Sequence, residues 1–148
     1  MIRVLISACL LGENVRYDGG SVAIDDPILR RWQAEGRLVP FCPEVAAGLP
    51  VPRPPAEMID ARVLARDGRD FTAPYEDGAR RALEAAKQNA PCIAVLRDRS
   101  PSCGVNVVHD GTFSGTLRPG EGITTALLRR HGIAVFSEDQ LADAEKAI

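Results

Sequence analysis

Cys9, Cys42 and Cys103 each stand where an apolar run ends in a turn: Ile6-Ser7-Ala8-Cys9-Leu10-Leu11-Gly12, Phe41-Cys42-Pro43-Glu44 and Ser100-Pro101-Ser102-Cys103-Gly104. Cysteines distant in sequence but at equivalent strand ends can converge in one crevice, where three thiolates could hold a metal centre and leave one coordination position open. A structural zinc site normally has four protein ligands, often in C-x-x-C pairs, and no such pair occurs here. Electron-transfer iron–sulfur clusters likewise usually take four cysteines, at least some in tight runs. With three, one iron of a four-iron cluster would face substrate and could act as a Lewis acid. Spacing alone leaves another possibility open, namely one nucleophilic cysteine and two bystanders. The fourth cysteine, Cys92, starts an apolar run, and at about 3.3 Å per residue its thiol lies roughly 15 Å from the far end of that strand. It reads as a small buried hydrophobe.

Composition narrows the setting. A chain of 148 residues with 45% hydrophobic residues can bury a core as one domain, spanning 1–148. Eighteen basic against twenty acidic residues leave a net charge of −2, so bulk electrostatics do not favour a long nucleic acid as partner. Ile6-Ser7-Ala8-Cys9 looks like a lipoprotein cleavage box, but the apolar stretch Val4 to Ala8 is too short for an export signal. No stretch reaches the roughly 18 apolar residues of a membrane span. A cytoplasmic location is therefore expected, with no membrane partner. In that reducing compartment metal binding or catalysis explains the cysteines better than disulfides.

The elements that must position these groups alternate. Strands are predicted at Val4–Ser7, Leu38–Phe41, Cys92–Leu96 and Ile133–Phe136, and helices at Ile28–Glu35, Tyr75–Gln88, Ile123–Arg130 and from Glu138 onward. Met58–Ala65 and Arg69–Thr72 flank Asp67-Gly68, while Val105–Val108 and Thr112–Ser114 straddle Asp110-Gly111; both read as hairpins. The prolines between Leu49 and Pro55 forbid regular structure and suggest an extended wall over the site. The fold class is α/β: a single-domain, Rossmann-like, mainly parallel sheet with helices on both faces and a small hairpin. In such sheets ligands sit at the carboxyl ends of the strands. Cys9, Cys42 and Cys103 all fall on that edge.

Several motifs are long enough to carry a resemblance. They are Ser7-Ala8-Cys9-Leu10-Leu11-Gly12 with Val15-Arg16-Tyr17-Asp18-Gly19, Cys42-Pro43-Glu44 with Gly48-Leu49-Pro50-Val51-Pro52-Arg53-Pro54-Pro55, Ser100-Pro101-Ser102-Cys103-Gly104, Asp110-Gly111-Thr112-Phe113-Ser114-Gly115 and Gly132-Ile133-Ala134-Val135-Phe136-Ser137-Glu138. Together they closely resemble domain-of-unknown-function family 523, whose members include thiouracil desulfidases. The resemblance implies a [4Fe-4S] cluster held by Cys9, Cys42 and Cys103, with the fourth iron open to the sulfur of a thiolated pyrimidine, 2-thiouracil first. Sulfur is a soft ligand for iron. The implied reaction is hydrolytic, with water supplying the new oxygen, sulfide leaving and no electron transferred.

Other residues take expected roles around that centre. Glu44 lies two residues after Cys42 across a stiff proline, and a partly desolvated carboxylate there can position or deprotonate water; the plainer reading is a helix-start charge. Ser100 is expected to contact substrate, and Ser102 is a further candidate, since hydrogen bonds beside a ligand tune metal sites. Both residues could equally serve the turn. Ser7 reads as structural. Arg16, Tyr17, Asp18 and Arg53 are candidate pocket residues, with Tyr17 stacking on a flat base. Alternatively Arg16 and Asp18 form a loop ion pair, and Arg53 braces the proline segment. His109 and His131 read as surface residues. Gly120-Glu121-Gly122 lacks the third glycine of a dinucleotide loop and reads as a turn and helix cap.

Two other functions compete. Cys9 could be a lone thiol-phosphatase nucleophile with Arg16 holding an anion, but six residues separate them rather than the five of that loop. A non-catalytic iron–sulfur or zinc module for sensing or binding is the alternative to an enzyme.

Overall fold

The computed structural model describes residues 1–148. In chain order the elements are β1 (Arg3–Ser7), a 3-10 turn (Ala8–Leu11), α1 (Pro27–Ala34), β2 (Leu38–Phe41), α2 (Pro43–Ala46), β3 (Ala56–Ile59), β4 (Arg62–Ala65), α3 (Thr72–Gln88), β5 (Cys92–Leu96), β6 (Val107–His109), β7 (Leu117–Pro119), α4 (Ile123–Arg130), β8 (Val135–Ser137) and α5 (Leu141–Lys146).

β1 is apolar on both sides because it is covered on both faces. Val4 and Ile6 pack against Leu29 and Trp32 of α1 and Leu141 and Ala144 of α5. Leu5 points the other way, to Ala82, Leu83 and Ala86 of α3 and Leu128 of α4. Each large aliphatic side chain buried in these layers contributes about 1.5–3 kcal/mol. The sheet runs β2-β1-β5-β8, and all three pairings are parallel. This is the expected α/β sandwich. Chain order turns outward in opposite directions from the adjacent strands β1 and β5, which opens a crevice at their carboxyl ends.

The start of α1 follows capping chemistry. Asp26 Oδ1 accepts the Ile28 N–H at 2.8 Å, and Pro27 occupies the first helical turn of α1. α3 starts at Thr72, three residues before the predicted Tyr75; its cap residue Phe71 makes no side-chain bond, and Asp70 Oδ1 accepts the Thr72 N–H at 2.8 Å in the turn that leads into the helix. That turn leaves only a bridge, Leu64 to Asp70, of the strand expected at Arg69–Thr72.

Four other boundaries differ from expectation for local reasons. Met58–Ala65 is two antiparallel strands, because Asp60 takes φ 57° and turns the chain; Asp tolerates that conformation through its short polar side chain. The partner of β6 is Leu117–Pro119 rather than Thr112–Ser114, whose hydroxyls bond one another and Asp110 within the loop. The last strand starts at Val135, since Gly132 and Ile133 donate their N–H groups back to Arg129 and Leu128 and close α4. The last helix starts at Leu141 because Glu138 is engaged by Arg97 and the Asp98 N–H.

No helix is long and apolar enough to cross a membrane.

Candidate active site

A cavity of about 370 Å³ lies at the carboxyl edge of the sheet, and Cys9, Cys42 and Cys103 all line it. Cys9 sits in the 3-10 turn that leaves β1. Cys42 is the residue that caps α2, directly after β2. Cys103 lies in the loop leaving β5. All four cysteines are free, and Cys92 is half-buried at the start of β5, away from the cavity. It is less enclosed than a core residue would be, because it opens the strand.

The three cavity thiols feel one another. Burial pushes Cys9 up to about 11, with Cys42 and Glu44 adding to the rise and Arg97 and Arg16 opposing it. Burial and then Glu44 raise Cys42, against the Val45 and Glu44 N–H groups and Arg53. Cys103 is also raised, by burial first, then by Glu44, Cys42 and Cys9, against the Ser102 hydroxyl. Such thiols stay neutral until a cationic centre displaces their protons.

No three His, Cys, Asp or Glu side chains are close enough to share a single ion. One tetrahedral ion would require sulfurs about 4 Å apart. Three soft donors converging on one cavity at wider spacing fit a larger iron–sulfur core, and Arg16, Arg53 and Arg97 on the same walls can balance its thiolates.

Close packing from below sets the turns. A Cβ on Gly78 of α3 would stand 2.5 Å from the Pro43 carbonyl oxygen, beside Cys42. A Cβ on Gly122, at the start of α4, would stand 2.3 Å from the Ser102 carbonyl oxygen, beside Cys103. The turn-and-cap reading of Gly120-Glu121-Gly122 holds, since Gly122 caps α4, with contact to the Cys103 turn added.

Asp98 organises the third cysteine loop. Its Oδ1 accepts N–H bonds from Arg99 at 2.9 Å, Val105 at 2.8 Å, Asn106 at 3.1 Å and Val107 at 3.2 Å. Burial works against this charge, but the Val105, Val107, Asn106 and Arg99 N–H groups overcome it and hold the carboxyl below its usual range. Arg99 is held at φ 85° in this loop. Ser100 Oγ accepts the Cys103 N–H at 2.7 Å and still lines the cavity.

Glu44 enters from the first turn of α2 with its side chain 13% exposed, and Arg53 meets it with only 4% exposed. Arg53 Nη2 donates to Glu44 Oε2 at 3.0 Å and to the Val15 carbonyl at 2.9 Å, while Nη1 donates to Pro50 at 3.3 Å. Glu44 Oε1 and Arg53 Nε are both buried without a protein partner. The Leu49–Pro55 segment is the irregular wall expected, and Arg53 is how it grips the site. Tyr75 of α3 also reaches the cavity; burial, then Glu44, raise its hydroxyl, and Arg53 opposes them.

The remaining candidates divide. Arg16 and the exposed Tyr17 line the cavity mouth, the guanidinium 5.7 Å from the ring centroid. Asp18 does not line it: its carboxylate accepts the Gly20 N–H at 2.9 Å and lies 3.8 Å from Arg16. Ser102 is fully buried off the cavity, bonded to Thr124 Oγ1 at 2.8 Å and 3.7 Å from the Cys103 sulfur. Ser7 is structural as expected, its Oγ accepting the Arg97 N–H at 2.9 Å.

His131 is exposed, but His109 is not a surface residue. β6 carries it into the cavity wall with Nδ1 buried and unpartnered. Sequence reading missed it because β6 follows a long irregular loop. Asp98, Tyr75, Arg97, Glu57 and Phe113 were missed as well. Asp98, just past an apolar strand and before Ser-Pro-Ser-Cys, was the one with a local turn signal.

Comparison with known proteins follows the same geometry. The solved structure of TudS, a [4Fe-4S]-dependent thiouracil desulfidase carrying the family-523 designation, superposes with TM-score 0.95 at 49% identity, covering 100% of both chains. The uncharacterized protein YbbK of Bacillus subtilis is 37% identical over 150 residues, covering 95% of this chain and 98% of that one. The sequence model of the 2-thiouracil desulfurase family matches residues 4–140. A chain with this fold, this edge of thiols and this match from end to end belongs to the 2-thiouracil desulfurase family and is an enzyme of carbon–sulfur bond cleavage.

Proposed function

We propose that this protein hydrolyses the thiocarbonyl of a thiolated pyrimidine, 2-thiouracil first, to the oxo base and sulfide, as one domain spanning 1–148. Cys9, Cys42 and Cys103 would hold a [4Fe-4S] cluster, which when bound supplies a soft Lewis-acidic iron for the substrate sulfur. The supporting observation is the meeting of three free thiols with the half-satisfied carboxylate of Glu44 on one cavity.

Glu44 keeps one oxygen on Arg53 and the other, Oε1, unpartnered; that oxygen takes a proton from water. Ser100 receives the Cys103 N–H on its oxygen and has its own O–H left to donate to substrate. Tyr17, exposed at the mouth, covers a flat ring, and Arg16 beside it meets polar edges. Asp18 orients Arg16, and Ser102 tunes Cys103 from behind. The reducing cytoplasm suits four free cysteines. The partner is a small thiolated base rather than long nucleic acid or membrane.

Anaerobically reconstituted protein, given a panel of thiolated bases and nucleosides, should lose thiocarbonyl absorbance and release sulfide in equal amount. Turnover by iron-free protein would overturn the reading.

A further inference from the structure

Glu44 and Arg53 form an ion pair with one rung closed and one open. Glu44 Oε2 and Arg53 Nη2 are 3.0 Å apart. The remaining acceptor of the carboxylate, Oε1, and the inner donor of the guanidinium, Nε, are buried and find no protein partner. A side-on guanidinium ordinarily offers Nε and one terminal nitrogen together to both oxygens of a carboxylate. Here Arg53 is tied by Val15 and Pro50 as well, so its plane is set by the backbone of two loops rather than by Glu44 alone.

Buried donors and acceptors are almost always satisfied, and leaving one unsatisfied costs about 1–3 kcal/mol. Two orphans of opposite sense, belonging to one ion pair on a cavity wall beside the Tyr75 hydroxyl, constrain what fills them. The filler must accept from Nε–H and donate to Oε1 through neighbouring positions. A water molecule does both through one oxygen.

We infer that Arg53 Nε and Glu44 Oε1 together hold the water that attacks the thiocarbonyl carbon, which makes Arg53 a water-positioning donor as well as the brace of its own loop. This inference rests on the hydrolytic reading of the site. The Nε–H bond fixes the water oxygen with a lone pair free, and Oε1 draws the proton away. The water oxygen bonds to carbon, one water proton passes to Glu44, and the carbon–sulfur bond breaks with its electron pair on sulfur. Both water protons finally leave with the sulfur as hydrogen sulfide, and no electron is gained or lost.

Arg53→Lys keeps a cation beside Glu44 but removes the inner donor of the fork. Iron content should stay at the wild-type level and KM should change little, while kcat falls about 100-fold, as for loss of one preorganised donor. Arg53→Ala with added guanidinium should recover part of kcat; if that variant fails to fold, the Lys variant decides. Independently of turnover, a crystal structure of the protein should show one ordered water within about 3.2 Å of both Nε and Oε1. Wild-type kcat in Arg53→Lys, a loss confined to KM, or a direct Nε to Oε1 bond in the crystal would overturn the inference. Glu44→Gln separates the two levels: if it is fully active the hydrolytic role of Glu44 fails, and if it is inactive while Arg53→Lys is fully active only the role of Arg53 fails.

Discussion

Gly78 lies directly under Pro43, so close that a Cβ on it would sit 2.5 Å from the Pro43 carbonyl oxygen. α3 thereby supports the short helix that carries two site residues, Cys42 just before it and Glu44 within it. Alanine normally favours a helix interior over glycine by about 1 kcal/mol. Overpacking of about 1–3 kcal/mol outweighs that gain here. Gly78→Ala should therefore lower the melting temperature and the iron retained per chain, and Gly122→Ala should do the same through Cys103. Iron assay and thermal melting of the two variants check this.

Replacing Cys9, Cys42 or Cys103 singly by Ala should abolish iron binding. Cys92→Ala should retain it, because Cys92 begins β5 at the opposite end of the sheet. Iron quantitation and visible absorbance after anaerobic reconstitution measure the difference, and iron loss in Cys92→Ala equal to the other three would refute the three-ligand site.

Glu44→Gln should keep the cluster absorbance while turnover falls by about 10²–10⁴-fold, the range for loss of a general base. The amide preserves shape and a partner for Arg53 but takes no proton. Steady-state sulfide release on cluster-matched samples tests it.

Asp98 links stability to acid. Its carboxyl is held below the usual range in the fold, so its contribution is fully present above the unfolded value, about 3.9, and disappears as pH falls through the lower folded value. Asp98→Asn should lose about 1–3 kcal/mol at neutral pH, since it exchanges charge-assisted bonds to four N–H groups for weaker ones. Denaturant titrations from pH 7 to pH 3 should find the two proteins converging in acid.

The layered fold was readable because periodicity reports burial directly. The alternating faces of Val4, Leu5 and Ile6, and the spacing of Ala79, Ala82, Leu83 and Ala86, each mark one element and one buried side. The hairpins were less readable. A single residue such as Asp60 turning at φ 57° leaves no trace in hydrophobic pattern, and neither does a loop that bonds its own hydroxyls before pairing Leu117.

Sequence by itself determined the alternation of strand and helix, the placing of Cys9, Cys42 and Cys103 at strand ends, and Glu44 beside one of them, because these are local patterns along one chain. Tertiary structure alone decided that Arg53 pairs with Glu44, that Asp98 gathers the Cys103 loop, and that His109 turns inward. Those relations join residues from separate loops, and their geometry is set by how closely α3 and α4 pack beneath the turns, where the absence of two side chains at Gly78 and Gly122 governs the approach.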